Sequence, residues 1–208
     1  MPDAAGTRNA RGRRVVVVSG PSGAGKGTLI RGVVKYFPDL AVAISATTRR
    51  ARPGERDGRE YYFLSAEDFQ QRVDQGRFLE HVDFAGNRYG TLVDEVERLR
   101  GEGLHVILEL ELEGALAIRS RTDLEPVLVF IQPPDFDELE RRLRARASDS
   151  DEEIRARMAL ARRQVDARQQ FDHVITNDEQ DRAVAELQQV IAGVIGPAVR
   201  PAPGATRA

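Results

Sequence analysis

Four consecutive valines, Val15 to Val18, run through Ser19 into Gly20-Pro21-Ser22-Gly23-Ala24-Gly25-Lys26-Gly27-Thr28. Leu29, Ile30, Val33 and Val34 then recur at helical spacing. An uninterrupted apolar run has no polar face, so this strand must be covered on both sides. That is the environment of a parallel sheet between two layers of helices. The glycines allow successive backbone N–H groups to turn inward, and the following helix presents its positive N-terminal end to the same point. Strand, glycine loop and helix in this order predict an anion cradle that receives phosphate groups, with Lys26 neutralising them. An ordinary glycine-rich strand-to-helix turn is the plain alternative, and the flanking elements and the lysine argue against it.

Further apolar runs at Ala41 to Ile44, Leu104 to Leu108, Val127 to Ile131 and His173 to Thr176 read as strands, and helical periodicity fills most of the gaps. The expected fold is therefore α/β, a three-layer core around a parallel sheet. At 208 residues, one globular unit suffices. A net charge of −2 gives no global attraction to nucleic acid or anionic membrane, so any anion site must be local. No cysteine is present, which excludes disulfides and thiolate chemistry. No apolar run approaches the roughly 20 residues that span a bilayer, and residues 1–14 lack the apolar centre of a secretory signal. A soluble, cytoplasmic protein is expected. Of 31 basic residues only Lys26 and Lys35 are lysine, which makes a lysine between glycines informative.

Two stretches break the alternation. Residues 45–90 hold an arginine-rich loop, a strand-like Tyr61-Tyr62-Phe63-Leu64, a capped short helix starting at Ser65 and a hairpin-like segment ending in Asn87-Arg88-Tyr89-Gly90. This reads as a small insertion with its own mixed sheet. Residues 141–163 are charged and helical, interrupted near Ala147-Ser148-Asp149-Ser150, and read as a mobile flap. The core is assigned to 13–44 and 91–195, with disordered tails at 1–12 and 196–208.

The stretch Ser45-Ala46-Thr47-Thr48-Arg49-Arg50-Ala51-Arg52-Pro53-Gly54-Glu55, followed by Gly58-Arg59-Glu60-Tyr61-Tyr62-Phe63, closely resembles the SxTTRxxRxGE region of guanylate kinases. Phe78-Leu79-Glu80-His81 and Gly86-Asn87-Arg88-Tyr89-Gly90-Thr91 extend the likeness, which covers nearly all of 14–195. The resemblance implies transfer of the γ-phosphoryl group of ATP to GMP, with dGMP as a further acceptor and Mg²⁺ as cofactor. It implies an ATP site at Gly20, Pro21, Ser22, Gly23, Ala24, Gly25, Lys26, Gly27 and Thr28, with Asn177 on the adenine side. Ser45, Glu80, Thr91 and Glu111 would face guanine, and Arg49, Arg52, Tyr61 and Tyr89 would hold the GMP phosphate. Residues 45–90 become the GMP-binding insertion and 141–163 the helical lid. Lys26, Arg49, Arg142, Arg146 and Arg157 would carry the transfer step.

These roles also make chemical sense. Guanidinium groups match phosphate oxygens in pairs, and phenol hydroxyls donate on the sides left open. A buried carboxylate at Glu80 can accept from guanine N1–H and the exocyclic amino group together, whereas adenine presents a bare acceptor there. A polar site left unpaired in this way discriminates by roughly 10⁴-fold or more. A solvated arginine loop is the plain alternative for 49–59, a salt-bridged surface helix for the lid arginines, and a helix cap for Asn177.

One departure from the usual phosphate-loop motif and one from the family pattern bear on the metal. Gly27 stands where a Ser or Thr usually ligates Mg²⁺, leaving Thr28 one position late, and this KGT ending is also typical of adenylate kinases. Glu109 and Glu111 stand where Asp-x-Asp is usual. Thr28 and Glu109 are the metal candidates, acting mostly through water. The three histidines, His81, His105 and His173, show no metal spacing. Rival readings are a monophosphate kinase for another base, a non-catalytic guanylate-kinase-like interaction module and an RNA-binding protein. Oligomeric state is left open.

Overall fold

The computed structural model describes residues 12–84, 86–145 and 150–199. Strand β1 (Val15–Ser19) leads through the glycine loop into helix α1 (Lys26–Val34), and β2 (Leu40–Val42) follows. The insertion contributes β3 (Ala46–Thr47), β4 (Tyr62–Phe63), α2 (Ala66–Asp74), β5 (Phe78–Phe84) and β6 (Asn87–Leu92). Then come α3 (Val93–Gly101), β7 (His105–Glu109), α4 (Leu112–Arg119) and β8 (Val127–Gln132). The chain continues through α5 (Phe136–Arg144), α6 (Asp151–Asp166), a short 3₁₀ turn, β9 (His173–Thr176) and α7 (Gln180–Ile195).

The principal sheet has the order β2-β7-β1-β8-β9, and all its pairings are parallel. The valine run is divided between its two faces. Val16 and Val18 pack with Leu29, Ile30 and Val33 of α1 and with Leu187 and Ile191 of α7. Val15 and Val17 pack with Val96 and Leu99 of α3 and with Ala115 and Ile118 of α4. All four valines are fully buried, which is why none is polar. Three layers result, as the alternation of apolar runs and helices requires.

Some strand limits differ from the sequence expectation. β2 stops at Val42 instead of reaching Ile44, because the Ile44 N–H donates to Glu95 Oε1 at 3.2 Å and not to a neighbouring strand. Tyr61 to Leu64 shortens to a two-residue strand. The chain after Ile195, expected to carry no structure, is paired as far as Val199, whose N–H donates to the Tyr36 carbonyl at 2.8 Å. The remainder of both expected tails lies outside the described residues. No described helix is long and apolar enough to cross a membrane.

The insertion forms a second, mixed sheet in the order β4-β3-β6-β5. Its core is small: Ala46, Phe69 and Leu92, with Tyr62, Leu64, Val73 and Phe78 against them. Phe69 is fully buried and stacks on Phe78 at 4.4 Å between ring centroids. Ser65 caps α2 by accepting from the Asp68 N–H. Helices α5 and α6 pack on each other through Leu139, Leu143, Ile154, Met158 and Ala161. The restart expected near residues 147–150 is at Ser150, whose reciprocal bonds with Glu153 make a full capping box.

Candidate active site

The glycine loop is shaped by close approach of backbone. Gly20, at φ +142°, leaves room for no side chain: a Cβ there would fall 2.0 Å from the Ile131 carbonyl oxygen. Gly25, at φ +95°, precedes α1 and lies against Asn177, whose Nδ2 would stand 2.3 Å from any Cβ. The Thr28 and Leu29 N–H groups both return to the Gly25 carbonyl, which starts the helix. The methyl groups of Leu139 and Leu143 lie beside Gly23, so α5 supports the loop from outside.

Lys26 is buried at 8% exposure, and its Nζ donates to the Gly20 carbonyl at 2.5 Å. The ammonium therefore lies across the loop, 3.9 Å from Glu111 Oε1. Glu111 lies just ahead of α4 and accepts from Gln164 Nε2 at 3.1 Å. Asn177, buried, donates from Nδ2 to the Ala24 carbonyl at 2.7 Å, and its own carbonyl accepts from Arg142 at 3.0 Å. Its side chain thus braces the loop. It does not cap α7, whose first flanking residue is Glu179.

Arg142 also donates to Glu138, as does Arg141, and the two guanidinium groups hold the Glu138 carboxyl down to about 2. Arg157 lies in α6, and its charge helps keep the Glu153 carboxyl low, after the larger effect of the Ser150 N–H and hydroxyl. Arg146 lies outside the described residues. Glu109 ends β7 beside the loop: a Cβ on Gly27 would meet its Oε2 at 3.4 Å. Burial pushes the Glu109 carboxyl up, with Lys26 opposing and Glu111 adding to the rise. Thr28 Oγ1 accepts from Arg31 at 3.2 Å. Among the described residues no group of three Asp, Glu, His or Cys is placed to hold a metal ion.

In the insertion, Arg49 forms a two-pronged ion pair with Glu55, at 3.0 and 2.9 Å, and lies over the rings of Tyr61 and Phe63 at 5.3 and 5.7 Å. The Tyr61 and Tyr89 rings meet edge to face at 6.0 Å. Burial raises the Tyr61 phenol, and Tyr89 and Glu109 raise it further. Arg52 is exposed, and its N–H donates to Glu55 Oε2 at 2.7 Å. Ser45, half-buried, accepts through its carbonyl from the Tyr62 N–H.

Glu80 is the most unusual acid of the insertion. A register shift between Phe78 and Glu80 re-aims the strand, so that Glu80 pairs with Thr91. Its Oε1 accepts from the Thr91 hydroxyl at 2.8 Å, and only 6% of the residue is exposed. Burial pushes its carboxyl up to about 7, against the pull of Thr91. Its other oxygen lies over Gly114 of α4. The fold thus brings together Lys26, Glu111 and Asn177 at one end, and Arg49, Tyr61 and Tyr89 at the other. Two partners went unassigned from sequence alone, Glu55 and Gly114. Glu55 is visible as the first acid after Arg49, Arg50 and Arg52; Gly114 carries no local signal.

The guanylate kinase family model matches residues 12–193. The chain belongs to the guanylate kinase family. It is 44% identical to the guanylate kinase of Rubrobacter xylanophilus over 182 residues, covering 88% of this chain and 95% of that protein. With the guanylate kinase of Prochlorococcus marinus it shares 46% identity over 178 residues, covering 86% and 94%. The crystal structure of the Anaplasma phagocytophilum guanylate kinase superposes with a TM-score of 0.69 at 26% identity, covering 87% of this chain and 85% of that one.

Proposed function

We infer that this guanylate-kinase-family chain catalyses phosphoryl transfer from ATP to GMP, giving ADP and GDP, and that it works in the cytoplasm as part of purine nucleotide recycling. The observation that carries the choice of acceptor is Glu80. It is a buried carboxylate in the GMP insertion, held through one oxygen by Thr91. Once ionised it accepts from guanine N1–H and the exocyclic amino group, a pattern that adenine cannot meet. Ser45 donates to guanine O6, and Thr91 fixes Glu80 for the task. Arg49, Arg52, Tyr61 and Tyr89 receive the GMP phosphate.

On the donor side, Gly20 to Thr28 cradle the ATP phosphates and Lys26 supplies positive charge where negative charge shifts during transfer. The bond from Lys26 to the Gly20 carbonyl holds its ammonium at the loop. Asn177 holds the loop from the adenine side through Ala24. Arg142, Arg146 and Arg157 of the lid close over the phosphates.

The acceptor oxygen needs no general base, because a phosphate monoester has a second pKa near ~6 and is already anionic at neutral pH. The protein's work is to bring two polyanions into line and exclude water. Glu109 beside the loop, with Thr28, offers the hard oxygen donors that suit Mg²⁺, and the arrangement fits an ion carried mainly by nucleotide oxygens and water. A Mg²⁺ ion held by these residues would supply positive charge to the phosphates.

A coupled ADP-release assay with Mg-ATP and a panel of GMP, dGMP, AMP, CMP and UMP tests the reading. GMP and dGMP should be the productive acceptors. Equal turnover of AMP and GMP would remove Glu80 as the base reader.

A further inference from the structure

Gly114 is buried in the first turns of α4, in ordinary helical backbone without a positive φ. Nothing local requires glycine there, and alanine is the better helix former. The reason for glycine comes from the insertion. A Cβ at Gly114 would fall 2.4 Å from Glu80 Oε2 and 3.1 Å from its Cδ, so the carboxylate occupies the volume a side chain would take. With Oε1 held by the Thr91 hydroxyl, the acid is fixed from two sides: a donor on one oxygen and bare helix backbone under the other.

We propose that Gly114 is a specificity-determining positioning residue, whose missing side chain is the seat that holds Glu80 at the angle from which it reads guanine. The clash created by a methyl group would be with the end of a flexible side chain, not with backbone. The helix therefore keeps its place and Glu80 is displaced, losing its alignment with the base. Gly114 touches no reacting atom, so the effect falls on acceptor binding and base choice and spares phosphoryl transfer.

This inference rests on the reading of Glu80 given above, and steady-state kinetics can separate the two. For Gly114→Ala, the GMP KM should rise by about tenfold or more and the GMP-over-AMP preference should fall by a similar factor. Its ATP KM and kcat should change by less than about threefold. Its melting temperature should stay within a few degrees of the parent.

Glu80→Asp, one methylene shorter, withdraws the carboxylate from Gly114. The double variant Gly114→Ala with Glu80→Asp should therefore be less impaired than the product of the two single effects. Effects that simply multiply would overturn the proposal, as would a Gly114→Ala enzyme with unchanged GMP KM and base preference. If Gly114→Ala fails to fold, the paired Gly114→Ala with Glu80→Ala decides. Recovery of a folded chain supports the clash as the cause, and continued failure refutes it. A parent enzyme indifferent to the base would instead bring down the reading of Glu80 itself.

Discussion

The glycine loop and the arginine insertion both gather groups suited to phosphate, but they hold them by different means. The loop is built from backbone. Gly20 is forced by a neighbouring carbonyl, Asn177 ties down Ala24, and Lys26 rests on the carbonyl of Gly20. The insertion is built from side chains that restrain one another. Glu55 grips Arg49 and the Arg52 backbone, Thr91 holds Glu80, and Tyr61 braces Tyr89. The supporting cores differ in the same sense, a full three-layer packing against a few residues around Phe69. A backbone-built site is nearly complete before its ligand arrives and is damaged chiefly through the fold. A side-chain-built site can be retuned without unfolding anything.

The largest effect should come from Gly20→Ala. It adds a Cβ onto the Ile131 carbonyl at a φ that L-residues avoid, and should lower stability by about 3 kcal/mol or more in denaturant titration. A mild loss would show that the loop is softer than its geometry implies. Lys26→Ala should lower kcat by at least about 100-fold in the ADP-release assay. GMP binding by calorimetry should survive, because the two sites are built separately; joint loss would break the distinction.

Glu80→Gln should leave ATP KM little changed while reducing GMP-over-AMP preference by about tenfold or more. Unchanged discrimination would break the side-chain account of the acceptor site. Glu55→Gln, which weakens the two-pronged grip on Arg49, should raise GMP KM by roughly three- to tenfold with ATP KM unaffected.

pH offers a further test. The folded pKa of Glu80 lies above its ordinary value of 4.5, at about 7. The folded protein therefore binds that proton more tightly than the unfolded chain. The stabilisation this provides is present below about pH 4.5 and is lost as pH rises through about 7, on the order of 3 kcal/mol. GMP binding should move the opposite way, strengthening across the same window as the carboxylate ionises. Glu80→Gln should flatten both dependences.

Much of the core was legible because its signals are local. The valine run, the glycine spacing and the apolar runs at 127–131 and 173–176 each report the demands of their own backbone and burial. Ser65 and Ser150 announced helix starts for the same reason. Motif resemblance supplied the candidate acceptor residues, including Glu80, although nothing local shows that this acid is buried. The end of β2 was misjudged because Glu95, far along the chain, takes the Ile44 N–H.

The sequence by itself thus determined the strand, loop and helix around Lys26, the layered α/β class and the residue types of both sites. Those follow from φ requirements and periodicity, which act over a few residues. Only the tertiary structure decided the strand order β2-β7-β1-β8-β9 and the brace from Asn177 to Ala24, 153 positions away. It also turned Glu111 toward Gln164 and Lys26, and seated Glu80 over Gly114. Contacts of this kind are set by how finished elements pack, and a helical glycine has no local trait that tells which distant side chain will need its space.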